Sequence, residues 1–137
     1  MVRGFRGIVL FFLIVAYTFG QEKHPRIEVQ NYTIDADINP RTQSISATAK
    51  INFTPLEDAN EAVFELNNAL TISKAADGSG KPLETARNPQ DFTVKVSFAG
   101  TLNKNQASEI SLTYDGKLTG NEDSPISGIK FAALHPD

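Results

Sequence analysis

The chain has 137 residues, 40% of them hydrophobic and 21% charged, a net charge of −3 and no cysteine. Such a length suits one domain, and such a balance suits a globular chain rather than a disordered one. The missing cysteine excludes disulfides, thiolate metal sites and a cysteine-linked lipid anchor, so stability has to come from a packed core.

Residues 1–20 have the layout of a secretory signal peptide. Arg3 and Arg6 form a basic start, Ile8 to Ala16 is an unbroken apolar run, and Thr18 and Gly20 are small residues at −3 and −1 before Gln21. A spanning helix needs about 20 apolar residues. This run is shorter, so no stable membrane span is expected. The reading is a cleaved signal-peptide helix and a secreted or periplasmic protein, with an uncleaved N-terminal membrane anchor as the alternative. Removing Arg3 and Arg6 takes the net charge from −3 to −5. No basic patch survives, and nucleic acid is not an expected partner.

Residues 21–28 form a polar lead-in containing Pro25, and 29–137 form the domain. From Gln30 to Ile38, Tyr32, Ile34, Ala36 and Ile38 alternate with Thr33, Asp35 and Asp37. Asn39-Pro40-Arg41-Thr42 is turn chemistry. Ile45, Ala47, Ala49, Ile51 and Phe53 then alternate with Ser46, Thr48, Lys50 and Asn52. The two runs predict a long hairpin with one face buried and the other wet. The small Ala47 and Ala49 imply close approach of whatever covers that face.

Pro55 stops the strand. In Glu61–Ile72, the residues Ala62, Phe64, Leu66, Leu70 and Ile72 share one parity, which predicts a strand with one buried face. Asn67-Asn68 predicts a bend or bulge between its two halves. Asp77-Gly78-Ser79-Gly80 reads as a hairpin turn, Lys81–Ala86 as a short strand in which Pro82 marks an edge or a strand start, and Asn88-Pro89-Gln90 as another turn. Phe92, Val94, Val96 and Phe98 predict the next strand, Gly100–Gln106 a loop, and Ile110, Leu112 and Tyr114 a further strand. Thr119–Ser127 reads as loop, and Ile129–Leu134 begins one more apolar element. No window after the leader keeps a helical period. The expectation is an all-β fold, an antiparallel sandwich or saddle-shaped curved sheet. The end at His135-Pro136-Asp137, straight after an apolar run, carries the further expectation that more sequence belongs to the domain.

No set of residues converges on catalysis. Asp35-Ala-Asp37-Ile-Asn39 starts like a calcium loop, but Pro40 stands where the loop needs Gly and Ser46 where it needs the bidentate Glu. Asp35 and Asp37 are read as the solvated face of a strand. His24 and His135 each precede a proline and lack a second ligand nearby, so no zinc site is expected. Gly78-Ser79-Gly80-Lys81 lacks the phosphate-loop spacing. Asn31-Tyr-Thr33 and Asn52-Phe-Thr54 match the N-glycosylation pattern but fall in predicted strands. Catalytic, cofactor-binding and metal-binding residues are all expected to be absent from this chain.

The ordered segments resemble the N-terminal domain of the M1 (gluzincin) family of zinc aminopeptidases, across about residues 29–134. The matching pieces are Tyr32-x-Ile34-x-Ala36-x-Ile38-Asn-Pro40, Ile51-x-Phe53-x-Pro55, Val63-Phe-Glu-Leu-Asn67-x-Ala69-Leu-x-Ile72, Phe92-x-Val94-x-Val96 and Ile110-x-Leu112-x-Tyr114-Asp-Gly-Lys-Leu118. The resemblance implies a saddle-shaped β-sandwich that packs beside a separate catalytic domain and walls off its cleft. It implies that zinc, its His-Glu-x-x-His ligands, the Gly-x-Met-Glu-Asn motif and the peptide substrate belong to that other domain. None of those motifs occurs here. The rival reading from the residues alone is a free-standing secreted β-sandwich that binds a protein or a glycan.

Overall fold

The computed structural model describes residues 23–118. The predicted leader, the loop at 119–127, the apolar element at 129–134 and His135 lie outside them. Within the described residues all regular structure is strand: β1 (Ile27–Asn39), β2 (Ser44–Pro55), β3 (Ala59–Glu65), β4 (Leu70–Asp77), β5 (Glu84–Asn88), β6 (Thr93–Leu102) and β7 (Ser108–Lys117). They form a four-stranded sheet in the order β1-β2-β7-β4 and a three-stranded sheet in the order β3-β6-β5. Every pairing is antiparallel. The described residues form the all-β antiparallel sandwich that the alternating pattern predicts.

The alternation explains the core. On the four-stranded sheet Ala49, Ile51, Phe53, Ala75, Ile110 and Leu112 point inward; on the other, Ala62, Phe64, Val94 and Val96 meet them. Phe53, Ala62, Val96 and Ile110 are wholly shielded from water. Burying a side chain such as Phe53 contributes about 2–3 kcal/mol. Its ring meets Phe64 edge-on across the sheets at 5.7 Å and 79°, a geometry worth about 0.5–1.5 kcal/mol more.

The sheets are joined by corners that the alternation did not reveal. The segment 61–72 is not one bent strand. β3 belongs to the three-stranded sheet and β4 to the other, and Asn67-Asn68 is the corner between them. Asn67 is buried. Its Oδ1 accepts the Ala69 N–H at 2.8 Å and its carbonyl accepts the Leu70 N–H at 3.0 Å. This Asx-type turn satisfies backbone that would otherwise be lost to both ladders. Arg87 on β5 clamps the corner, donating to the Leu66 carbonyl at 2.5 Å and to Asn68 Oδ1 at 3.0 Å.

Single-residue irregularities change which parity is apolar. In β1 the register shifts between Val29 and Asn31, so odd-numbered Ile27 and Val29 share the inner face with even-numbered Tyr32 and Ile34. In β4 it shifts between Ile72 and Lys74, which turns Ala75 inward and carries the strand on to Asp77, five residues past the predicted end. Such bulges insert one unpaired residue and bend the strand.

Other boundaries move as well. The predicted strand at 81–86 is instead 84–88, and Pro82 only bridges Ala76. Among the described residues β5 is an edge strand, although Pro82 itself lies outside it. The turn at 77–80 opens as a hairpin, with Asp77 N bonded to Lys81 O and Leu83 N to Ala75 O, but β5 then joins the opposite sheet. Phe92 is not in a strand; it closes the turn before β6 with φ 59°. β6 runs through Gly100 to Leu102, beyond its predicted end at Phe98.

Candidate interaction surface

The β1–β2 hairpin pairs in the predicted register, from Ile27↔Pro55 to Asn39↔Ser44. Its turn is set by Asn39, whose Oδ1 accepts the N–H groups of Arg41 and Thr42, and by Gln43 at φ 54°. The predicted burial of β1 does not hold along its length. Tyr32, Ile34 and Ile38 lie opposite Ile51, Ala49 and Ile45, so they are on the inner face. Yet they are 54%, 56% and 50% exposed, while Ala49 and Ile51 beside them are only 5% and 3% exposed. The covering sheet ends first, since β3 stops at Glu65 and the chain turns at Asn67.

The result is an open apolar groove of about 160 Å³ at one end of the sandwich. Tyr32 and Ile34 form one wall, Leu66 and Tyr114 line it further along, and Ala49, Ile51 and Leu112 contribute to its lining. Burial pushes the Tyr114 phenol up from its ordinary value. Among the described residues β1 is also an edge strand of its sheet, with one row of backbone groups directed away from β2. Water-exposed apolar side chains of this kind along an edge are features of contact surfaces.

The opposite face of β1 is polar. Asp35 and Asp37 are exposed there, on the solvated side as predicted. Asn31 and Asn52 lie opposite each other in the β1–β2 register, so both glycosylation patterns sit within paired strands. His24 stands 3.9 Å from Asp91 and ties the lead-in to the turn before β6. The Asp91 carboxyl is held below its ordinary range chiefly by the Thr93 hydroxyl, with His24 adding to the effect. Asp77 is likewise depressed, first by the Ser79 hydroxyl at 2.6 Å and then by the Lys81 N–H. These carboxylates are occupied in shaping turns. Among the described residues no three His, Cys, Asp or Glu side chains are placed to hold a metal ion. Among them, too, no helix is long and apolar enough to cross a membrane.

Alternation shows which side chains share a face but not whether anything covers that face. This is why the exposure of Tyr32, Ile34 and Ile38 escaped sequence reasoning. The Arg87 clamp left no sequence signal at all.

No protein-family model matches the chain, and no curated protein does. Solved structures do. A crystal structure of an M1 zinc metallopeptidase from Deinococcus radiodurans matches with a TM-score of 0.61 and 17% identity, over 72% of this chain and 22% of that one. A variant from the same organism, bound to a Tyr-Ser-Ala substrate, gives 0.59 and 18%, over 66% and 20%. A two-domain M1 zinc metallopeptidase variant bound to L-arginine gives 0.61 and 17%, over 73% and 23%. The chain spans only about a fifth of the length of these relatives. In fold, it is the counterpart of one stretch of the M1 zinc metallopeptidases.

Proposed function

We infer that this chain is the non-catalytic β-domain of a secreted M1-type zinc aminopeptidase, lying N-terminal to the catalytic domain, packing beside it and walling its cleft. The observation that carries the reading is the shared fold with M1 zinc metallopeptidases over 66–73% of this chain. The open apolar groove beside β1 supports it, because a domain that packs against another keeps part of its apolar surface outside its own core. In this reading zinc and the peptide substrate are held by the partner domain.

Sequencing the gene beyond codon 137 tests the reading. The expected result is an open frame encoding His-Glu-x-x-His. A stop codon with no such motif downstream overturns it. Mass spectrometry of the secreted protein tests the leader: a mature N-terminus at Gln21 is expected, and an intact leader in the membrane fraction favours the anchor instead. A second reading, a free-standing module that binds protein or glycan, draws on the closed core around Phe53 and Ile110. It predicts a monomer that melts cooperatively and binds no hydrophobic dye.

A further inference from the structure

We propose that the cavity between β4 and β5 binds a carboxylate carried on a small apolar body, with Arg87 as the residue that reads the charge.

The placement of two polar side chains is the first argument. Thr85 and Arg87 of β5 pair with Val96 and Val94 of β6, so both stand on the inner face of the three-stranded sheet. Phe64, Val94 and Val96 on that face are apolar and buried. An inward-pointing charge can simply guard a strand against mispairing, but that role needs no cavity. Here a cavity of about 240 Å³ adjoins the pair, lined also by Leu70, Ile72, Pro89 and Val94. Liquid water takes about 30 Å³ per molecule, so the space suits a body of about ten non-hydrogen atoms. An apolar lining with a few fixed polar groups is the make-up of a small-molecule site.

Arg87 is held in place by uncharged partners. Its Nη2 donates to the Leu66 carbonyl and to Asn68 Oδ1, and Asn68 Nδ2 donates in turn to the Pro89 carbonyl at 2.9 Å. These acceptors orient the guanidinium without neutralising it. A guanidinium has five N–H donors. Nη2 carries two of them, and the other three are on Nη1 and Nε. Burial pulls the Arg87 guanidinium below its ordinary value, while the charge of Asp91 opposes the shift. A cation partly stripped of water gains from a counter-charge at contact distance. Asp91 acts from further off, and its Oδ1 accepts the N–H and the hydroxyl of Thr93.

A carboxylate at Nη1 forms a charge-assisted hydrogen bond there. The Thr85 hydroxyl is a second donor in the lining, and Leu70, Ile72 and Val94 take the apolar body.

The experiment titrates the full chain with 3-phenylpropionate and follows the amide resonances. Saturable shifts at Leu70, Ile72, Thr85 and Arg87 are expected below about 10 mM. The uncharged 3-phenylpropionamide, and acetate, which lacks the apolar body, should each bind at least about tenfold more weakly. T85V should weaken binding about threefold. R87Q should abolish it, read alongside amide exchange of Ala69 and Leu70, because Arg87 also clamps the corner. The peptide Gly-Gly-Phe and its C-terminal amide distinguish the source of the carboxylate. Tighter binding of the free peptide than of 3-phenylpropionate points to a peptide end, and the reverse to a free acid; either supports the site. Three results overturn it. The first is no saturable shift at those four amides. The second is equal binding of 3-phenylpropionamide, which makes the cavity an apolar pocket only. The third is equal binding of acetate, which makes Arg87 a bare anion contact. The ligand comparisons use the unmodified chain, so a misfolded variant cannot blur them. None of these results depends on which other domains accompany the chain.

Discussion

Gly116 offers a sharp test of how the corner between the sheets meets β7. It pairs with Ile45 on one side and Leu70 on the other. A Cβ added at Gly116 would lie 2.0 Å from the Ala69 carbonyl oxygen and 3.1 Å from Leu70 Cδ2. Real Cβ contacts essentially never fall below 3.0 Å, so about 1 Å of backbone displacement is required. The Ala69 backbone is poorly placed to move, because Asn67 holds the N–H groups of Ala69 and Leu70. Forced overpacking of this kind costs about 1–3 kcal/mol. In a domain of this size each kcal/mol lowers the melting temperature by about 4–8 °C. G116A should therefore melt about 5–20 °C below the parent by circular dichroism. G100A is the control: nothing lies within 4 Å of its added Cβ and its φ is not positive. It sits in β6, so it should be neutral or gain about 0.5 kcal/mol. If G116A melts within about 2 °C of the parent, the corner does not press on β7 as described.

Phe53→Ala removes the ring at the centre of the core and should cost about 3–5 kcal/mol, measured by urea unfolding. Arg87→Ala leaves the Leu66 carbonyl and Asn68 Oδ1 without their shared donor; faster amide exchange at Ala69 and Leu70, with β2 unchanged, is the expected readout. Asp77 and Asp91 have carboxyl pKa values lowered in the fold, so their contribution to stability is present above about pH 4 and is lost as the pH falls through the folded values. Asparagine keeps an acceptor but does not titrate, so D77N and D91N should each show a shallower loss of melting temperature between pH 5 and pH 2.

The long hairpin was readable because Tyr32–Ile38 and Ile45–Phe53 alternate without a break, and a two-residue period fixes which side chains share a face. The structure class and most core positions followed from that alone. The reading failed where phase alone is silent. Leu66 and Leu70 have the same parity, so a segment that leaves one sheet and enters the other looks like one strand; only the buried Asx turn at Asn67 separates them. The bulge between Ile72 and Lys74 hid Ala75 and Ala76 from the count. Phe92 kept the rhythm of the next strand although its backbone is left-handed. The groove was illegible for a different reason. Coverage depends on where β3 ends, and nothing in the spacing of Tyr32, Ile34 and Ile38 encodes it.

The order in which the strands are dealt between the two sheets has a kinetic consequence. Strands 1 and 2 go to one layer, 3 to the other, 4 back, 5 and 6 across again, and 7 returns to the middle of the first. Neither layer is finished before the other is begun, and β2 waits for β7, which arrives more than fifty residues later. Folding should therefore be a single slow event, in the millisecond-to-second range typical of chains dominated by distant pairings. No shorter piece of the sandwich should persist on its own.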